Sequence, residues 1–248
     1  GETLLLEGRY REALEALQLD RLRGDMEQWR ISLFLRIRTH AERCDFARLL
    51  AESDWYLSEV TGNAAEVAQI YAYRAVALAS RAEESQSALR QAEFASFRVA
   101  NDLDRLDALR SVTEAHLILG NLEQAERHGR EGITIGLRHS GYYPPFSLLV
   151  MAAELSVRMR RTEEALFFVE EASFYVELRP RLRARDVAAY WFLRWCLGMD
   201  GEAALEAAQD LLALEAEAIG DQEMVGSFLG QRSFSLIDRA GEEPTECH

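Results

Sequence analysis

The stretch Leu106–Gly136, LDALRSVTEAHLILGNLEQAERHGREGITIG, sets how the rest of this chain is interpreted. It predicts two amphipathic helices joined by a tight turn at residues 120–122. Gly120 can adopt the positive φ that such a turn needs, because glycine has no Cβ. Ala125 follows where two antiparallel helices come closest, and its methyl group lets them pack. The stretch therefore predicts one helical hairpin.

The same pattern recurs six times along the 248 residues. Each unit has a marker residue early in its second helix, and consecutive markers are 36, 39, 37, 40 and 39 residues apart. The markers are Ala13, Leu49, Ala88, Ala125, Ala165 and Ala204. Second helices are predicted near 9–22, 45–60, 85–101, 122–139, 163–178 and 202–219, first helices near 26–42, 64–82, 104–119, 145–160 and 184–198, and a final helix at 223–239. Such a period is typical of arrays in which each hairpin buries its apolar side against the next.

Composition agrees with an all-α chain, since 48% of the residues are hydrophobic, only four are proline, and Ala, Leu, Glu and Arg dominate. We therefore expect residues 1–248 to form a single repeat domain of about six hairpins plus the final helix. Too few residues precede Gly8 for a complete first helix, and the next marker is due near Glu246, where the sequence stops. Both ends thus lie inside a repeat, which predicts a fragment of a longer protein.

Each unit resembles a tetratricopeptide repeat (TPR), whose consensus places glycine, an aromatic residue and alanine at fixed offsets about the turn. The best matching units carry Gly8, Tyr10 and Ala13, and Gly120, Leu122 and Ala125. The second unit departs from the small-residue pattern at Cys44 and Leu49, and the units exceed the usual repeat length. Longer hairpins of this kind resemble the helical repeats of MalT-type bacterial transcription regulators and of their antibiotic-regulator relatives.

The resemblance implies a right-handed superhelical solenoid of antiparallel helix pairs, with peptides bound on a concave face that the first helices line. The implied binding residues are Phe34, Arg38, Tyr73, Arg110, Glu114, Glu154 and Arg158. Their mixture of charges would suit a polar peptide. The alternative is that the charged residues form ordinary i,i+4 pairs on solvated helix faces.

Aromatic and basic segments give further candidates. Tyr143 lies in the loop GYYPPF at residues 141–146, and Tyr190 lies in YWFLRW at residues 190–195. Both tyrosines could contact a partner, although rings that cap or fill the core are an equally ordinary explanation. Alternating arginines could hold an anion or an acidic partner, or form a solvated linker paired with nearby carboxylates. They are Arg179, Arg181, Arg183 and Arg185.

Charge and residue spacing exclude several classes of function. The net charge of −14 argues against nucleic-acid binding by this segment. No apolar run is long enough to span a membrane, and three scattered cysteines suggest no disulfide framework and a cytoplasmic location. The histidines lack metal-ligand spacing, so no metal or other cofactor is expected. They are His40, His116, His128, His139 and His248. No motif of nucleophilic or phosphate-transfer catalysis appears, and we expect no enzyme activity and no catalytic residues.

The sequence therefore predicts a module that binds a protein or peptide, or senses an effector, within a bacterial transcription regulator. Two alternatives stay open: a freestanding TPR scaffold, and a peptide receptor of the quorum-sensing kind. A homo-oligomer is compatible with each of them. The regulatory role is implied by resemblance alone, because a fold by itself does not specify a function.

Overall fold

The chain is all-α, without a strand, over the residues that the computed structural model describes. These are residue 4 and residues 9–17, 26–60, 62–81, 83–139, 145–178, 182–231 and 237. Gly8, Tyr143 and His248, which the sequence singles out, lie outside the described residues. None of the described helices is both long and apolar enough to cross a membrane.

The helices alternate as predicted between first and second members of hairpins. First helices are α2 (Met26–Glu42), α4 (Ala64–Ser80), α6 (Asp102–Ile118), α8 (Phe146–Arg158) and α10 (Ala184–Cys196). Second helices are α1 (Tyr10–Ala16), α3 (Phe46–Glu59), α5 (Gln86–Phe97), α7 (Leu122–Arg138), α9 (Thr162–Leu178) and α11 (Gly201–Ile219). The final helix is α12 (Gln222–Leu229), which begins one residue before the predicted span of 223–239 and ends at Leu229.

Each first helix ends in the same type of turn, in which a backbone N–H donates to the carbonyl five residues earlier. The amide of Asn121 donates to the carbonyl of His116 at 2.9 Å, and the amide of Arg161 donates to that of Ser156 at 2.8 Å. The accepting carbonyls belong to residues 40, 78, 116, 156 and 194, which are 38, 38, 40 and 38 residues apart. This bond satisfies a carbonyl that the helix leaves unpaired. The turn therefore recurs with the predicted period.

Left-handed backbone at the turn is confirmed for Gly120, whose φ is +73°. Cys44 and Arg160 adopt the same conformation, with φ of +57° and +58°. Each stands five residues before its marker, as Gly120 does, although neither is a glycine. The second hairpin, which departs from the consensus in sequence, therefore keeps the conformation of the turn. A residue with a Cβ is strained there.

Hairpins pack internally and against their neighbours along the chain. All six marker residues are buried, and Ala125 has no exposed surface. Glycine in α7 lets the following helix come close: a Cβ at Gly132 would lie 2.6 Å from Leu148 Cδ1. One hydrophobic cluster continues from Tyr10 in α1 to Phe228 in α12. The hairpins thus share a continuous core.

Contacts between the two ends of the chain go beyond the neighbour-only packing of an open array. The Tyr10 hydroxyl donates to the Glu215 carboxylate across 205 residues of sequence. Gln231 Nε2 donates to Cys44 Sγ at 3.2 Å. Cys44 is a buried free thiol, whereas Cys196 takes part in a disulfide, which corrects the expectation that the cysteines form none. Helices at the two ends of the described chain therefore meet.

Candidate functional site: a buried charge cluster and its cavity

Two arginines at the start of α10 enter the interior between the hairpins. Arg183 precedes the helix in an extended conformation, and Arg185 lies in the first turn. Their side chains are only 13% and 5% exposed. A buried guanidinium is costly unless carboxylates pair with it. Four acidic residues pair with the two arginines: Glu42, Glu114, Asp186 and Glu215. These six residues form the charge cluster.

Arg183 links three helices. Its Nη1 lies 3.3 Å from Glu42 Oε1 at the end of α2 and 3.4 Å from Glu114 Oε2 in α6. Its Nε donates to Asp186 Oδ2 at 2.7 Å, which holds the guanidinium against its own helix. Ser147 of α8 donates to the same carboxylate oxygen at 2.6 Å. One guanidinium thus joins α2, α6 and α10.

Arg185 joins the two ends of the chain. Its Nη1 lies 3.1 Å from Glu42 Oε2, and its Nη2 donates to the Glu42 carbonyl at 2.6 Å. The same Nη2 donates to Glu215 Oε1 of α11 at 2.9 Å. The guanidinium also lies 5.0 Å from the centre of the Phe228 ring in α12. Glu215 in turn accepts the hydroxyl of Tyr10.

Electrostatics in the cluster favour the charged forms. Burial alone would raise the pKa of Glu42, but the guanidinium groups of Arg185 and Arg183, with those of Arg38 and Arg110, outweigh it and lower the pKa to about 2. Burial opposes the charge on Arg183 and Arg185 as well, yet the surrounding carboxylates raise the pKa of both above the ordinary arginine value. The cluster is therefore a set of buried, mutually paired ions.

A cavity of about 30 Å³ lies beside the charge cluster, among α2, α4 and α6. Such a volume holds a water-sized group. Tyr73, Ser111 and Glu114 line it together with the two cluster arginines. The Tyr73 hydroxyl is buried and has no hydrogen-bond partner among the described residues. A buried hydroxyl without a partner is unfavourable, so a polar group that reached it would form a hydrogen bond that is missing in the chain alone.

Four of the residues predicted to bind a partner lie at the charge cluster or at its cavity. Arg38 and Arg110 are near enough to Glu42 to lower its pKa, and Arg110 Nη1 lies 3.5 Å from Glu114 Oε2. Tyr73 and Glu114 line the cavity itself. The Arg110–Glu114 pair is an i,i+4 pair, but its side chains are only 11% and 12% exposed, so the face is not a solvated one.

The remaining predicted residues lie apart from the cavity. Phe34 and Tyr190 are buried among apolar side chains, and the Tyr190 hydroxyl accepts a hydrogen bond from Arg194 at 2.8 Å. Glu154 pairs with Arg158 at 2.7 Å, on α8. Tyr143 lies outside the described residues. Their part in binding stays a prediction.

Sequence reasoning missed Glu42, Asp186 and Glu215 as members of the charge cluster, and Tyr10 as a partner of Glu215. It noticed Arg183 and Arg185 as a basic segment and left open whether they hold an anion or form a solvated linker. The structure places both in the interior, paired with carboxylates of this chain. The neighbouring Arg179 and Arg181 lie outside the described residues. No local motif signals this pairing, because Glu42 and Arg185 are 143 residues apart.

A second polar cluster joins two of the histidines to a glutamate. His116 Nε2 lies 3.0 Å from Glu93 Oε1, and His128 Nε2 lies 3.5 Å from the same oxygen. The imidazole rings stack with centroids 5.4 Å apart. Burial, more than any other influence, lowers the pKa of His116 to about 4 and lowers that of His128. Sequence spacing gave no sign of this cluster, because its members come from three helices.

No protein-family model matches the chain, and comparison with curated proteins and with solved structures gives no match either. The resemblance to tetratricopeptide repeats therefore rests on the residues quoted above.

Proposed function

We propose that the chain is a binding module of TPR-like hairpins, wound as a right-handed solenoid, which recognises a peptide or protein segment at the face formed by its first helices. One observation carries the proposal: side chains from several hairpins converge on a small cavity that Glu114 and Tyr73 line, and the buried Tyr73 hydroxyl has no partner among the described residues. Packing of each first helix against the next one supports the proposal, because consecutive helices of a repeat array can present a common surface.

The ligand group that fits best is the cationic tip of a basic side chain. Glu114 lines the cavity and could pair with an ammonium group, which is about the size of a water molecule, while Tyr73 offers a hydroxyl for a hydrogen bond. A net charge of −14 attracts a basic segment and repels an acidic one. Such a ligand would compete with Arg183 for Glu114, whose carboxylate is 3.4 Å from Arg183 Nη1.

Competition for Glu114 gives the module a way to sense its ligand. Arg183 and Arg185 together tie α2 to α6, α10 and α11. A ligand that takes over Glu114 loosens one of these ties and biases the contacts between distant hairpins. Within a larger regulator, that bias would pass to the neighbouring domains.

Selection from a random peptide library tests the proposal. Peptides that bind the full chain are measured against the wild type, Tyr73→Phe, Glu114→Gln and the control Glu163→Gln, whose side chain is exposed on α9. Loss of a hydrogen bond to a charged group should weaken binding by roughly tenfold to a hundredfold in the two cavity variants. The control should bind as the wild type does. Equal binding by all four proteins would place recognition elsewhere.

Two expectations distinguish the regulator from a peptide receptor. In a regulator, the full reading frame that contains this chain should encode a helix-turn-helix or nucleotide-binding domain. In a receptor of the quorum-sensing kind, a short peptide alone should raise the melting temperature, because a ligand of the folded state stabilises it by mass action. A peptide with no thermal effect at saturation argues against the receptor.

A scaffold that binds proteins through its second helices is favoured by a different observation. Large apolar side chains are exposed there: Phe94 is 60% exposed, Phe97 76%, Phe167 55% and Phe174 64%. Exposed aromatic side chains are common in protein interfaces. The peptide selection separates the alternatives, because a peptide bound there should lose affinity to Phe167→Ser or Phe97→Ser and keep it for Tyr73→Phe.

A further inference from the structure

We propose that Glu93, His116 and His128 form a binding site for a divalent transition-metal ion such as Zn²⁺. Each offers one ligand atom, and the three atoms lie within 4.8 Å of one another. Imidazole nitrogen and carboxylate oxygen are ligands that Zn²⁺ binds readily, and two histidines with one glutamate form a known type of zinc site. This site is independent of the cavity proposed for peptide binding.

The two distances from Glu93 to the histidines are close to those between ligand atoms of a zinc centre. Two ligand atoms of a tetrahedral zinc ion, each about 2.0–2.1 Å from the metal, lie roughly 3.3 Å apart. Glu93 Oε1 is 3.0 Å from His116 Nε2 and 3.5 Å from His128 Nε2. An ion also needs both Nε2 lone pairs to point at it, so the two nearly parallel imidazole rings would have to turn toward each other.

Packing holds the ligands in place before any ion arrives. Glu93 lies on α5, His116 in the last turn of α6 and His128 on α7, and α6 packs against both of the other helices. The two imidazoles are 3% and 9% exposed and stack nearly parallel, with 14° between their planes. Ligands ordered in advance lose little conformational entropy on binding.

Hydrogen bonding without a metal leaves the cluster incompletely satisfied. Both histidines converge on one oxygen of Glu93, and the Nδ1 atoms of both are buried without a hydrogen-bond partner among the described residues. A neutral imidazole has one donor and one acceptor nitrogen, so each ring has an unpaired polar atom whichever tautomer it adopts. An ion at Nε2 would release both rings from sharing one oxygen of Glu93 and would fix the proton of each ring on Nδ1.

A guanidinium group of the chain lies beside the three proposed metal ligands. Arg127 Nη2 lies 3.0 Å from His128 Nε2 and 3.6 Å from Glu93 Oε1. The Arg127 side chain is 62% exposed, and it can swing into solvent when an ion enters. The Arg127 guanidinium thus contacts the same Glu93 oxygen and His128 nitrogen that a metal ion would bind, and it competes with the ion for them.

A fourth coordination position faces an open cleft of about 580 Å³, which Glu93 and His128 line together with Phe94, Phe97 and Arg105. Three protein ligands with one open position leave room for water or for a ligand atom of a partner. The exposed rings of Phe94 and Phe97 beside the cleft would contact such a partner.

Titration of the metal-free full chain with Co²⁺ and Zn²⁺ tests the site. Co²⁺ bound with tetrahedral geometry should give visible absorption bands at one ion per chain, and Zn²⁺ should displace it. Glu93→Gln and His128→Gln should each weaken binding by about tenfold or more. His139→Gln is the matched control, because His139 is 38% exposed and pairs with Asp102 away from the cluster, and it should bind as the wild type does.

Arg127→Gln supplies a second measurement that does not depend on losing a buried side chain. It removes the competing cation, so affinity for Zn²⁺ by calorimetry should rise, whereas a purely structural role for the cluster predicts no change. Circular dichroism checks that each variant is folded. Absence of saturable Co²⁺ bands in the wild type, or equal affinities in the wild type, Glu93→Gln and His128→Gln, would overturn the proposal.

Discussion

Replacement of Glu42 by glutamine tests whether the charge cluster holds distant hairpins together. The carboxylate of Glu42 lies 3.1 Å from Arg185 Nη1 and 3.3 Å from Arg183 Nη1, and the side chain is 8% exposed. Glutamine keeps the shape and removes the charge, so both guanidinium groups lose a buried partner. Breaking a buried ion pair from one side costs about 3–5 kcal/mol.

The pKa of Glu42 gives an independent magnitude. Its value in the folded chain is about 2, against about 4.3 for an unperturbed glutamate. A difference of this size corresponds to about 3 kcal/mol of stability at neutral pH. Because the folded pKa is the lower one, this contribution is complete above about pH 4.3 and is lost as the pH falls toward 2. Both routes therefore give a loss of about 3 kcal/mol for Glu42→Gln.

Urea denaturation followed by circular dichroism measures the loss. At pH 7, Glu42→Gln should unfold at lower urea than the wild type, and Glu206→Gln, exposed on α11, should stay within about 0.5 kcal/mol of it. Toward acid pH the gap between Glu42→Gln and the wild type should close, because the variant lacks the titrating carboxylate. A variant as stable as the wild type at pH 7, or a gap that does not change with pH, would refute the reasoning.

Three further predictions concern a close approach, a strained turn and a buried thiol. Gly136→Ala should destabilise the chain by about 1–2 kcal/mol in urea denaturation, because its Cβ would lie 2.7 Å from the rigid Pro145 ring. Gly226→Ala, with no described atom within 4 Å of its Cβ, should be neutral or stabilising instead. Arg160→Gly should raise the urea midpoint and increase the free energy of unfolding by up to about 1 kcal/mol, because glycine adopts the positive φ of this exposed position without strain. An unchanged or lower midpoint contradicts this. Burial raises the pKa of Cys44 to about 12, so peptide mapping after iodoacetamide at pH 8 should find it unmodified in the folded chain and modified in urea.

Much of the local structure could be predicted from the sequence, because helices and turns depend on neighbouring residues. The predicted helix at 26–42 coincides with α2, and the positive φ expected of Gly120 is present. The marker residues are buried, as their place near the hairpin turn requires. Cys44 and Arg160 show the limit of this reasoning, since they adopt the turn conformation without the glycine that signals it.

Only the tertiary structure decided which polar residues form a site. The segment with Arg183 and Arg185 was compatible in sequence with a solvated linker, and its burial depends on how α2, α6 and α11 surround it. The pairing of His116 with His128 likewise depends on the packing of α6 against α7. The physical reason is range: hydrogen bonds within a helix join residues four apart, whereas an ion pair across the interior requires the positions of whole helices to be known.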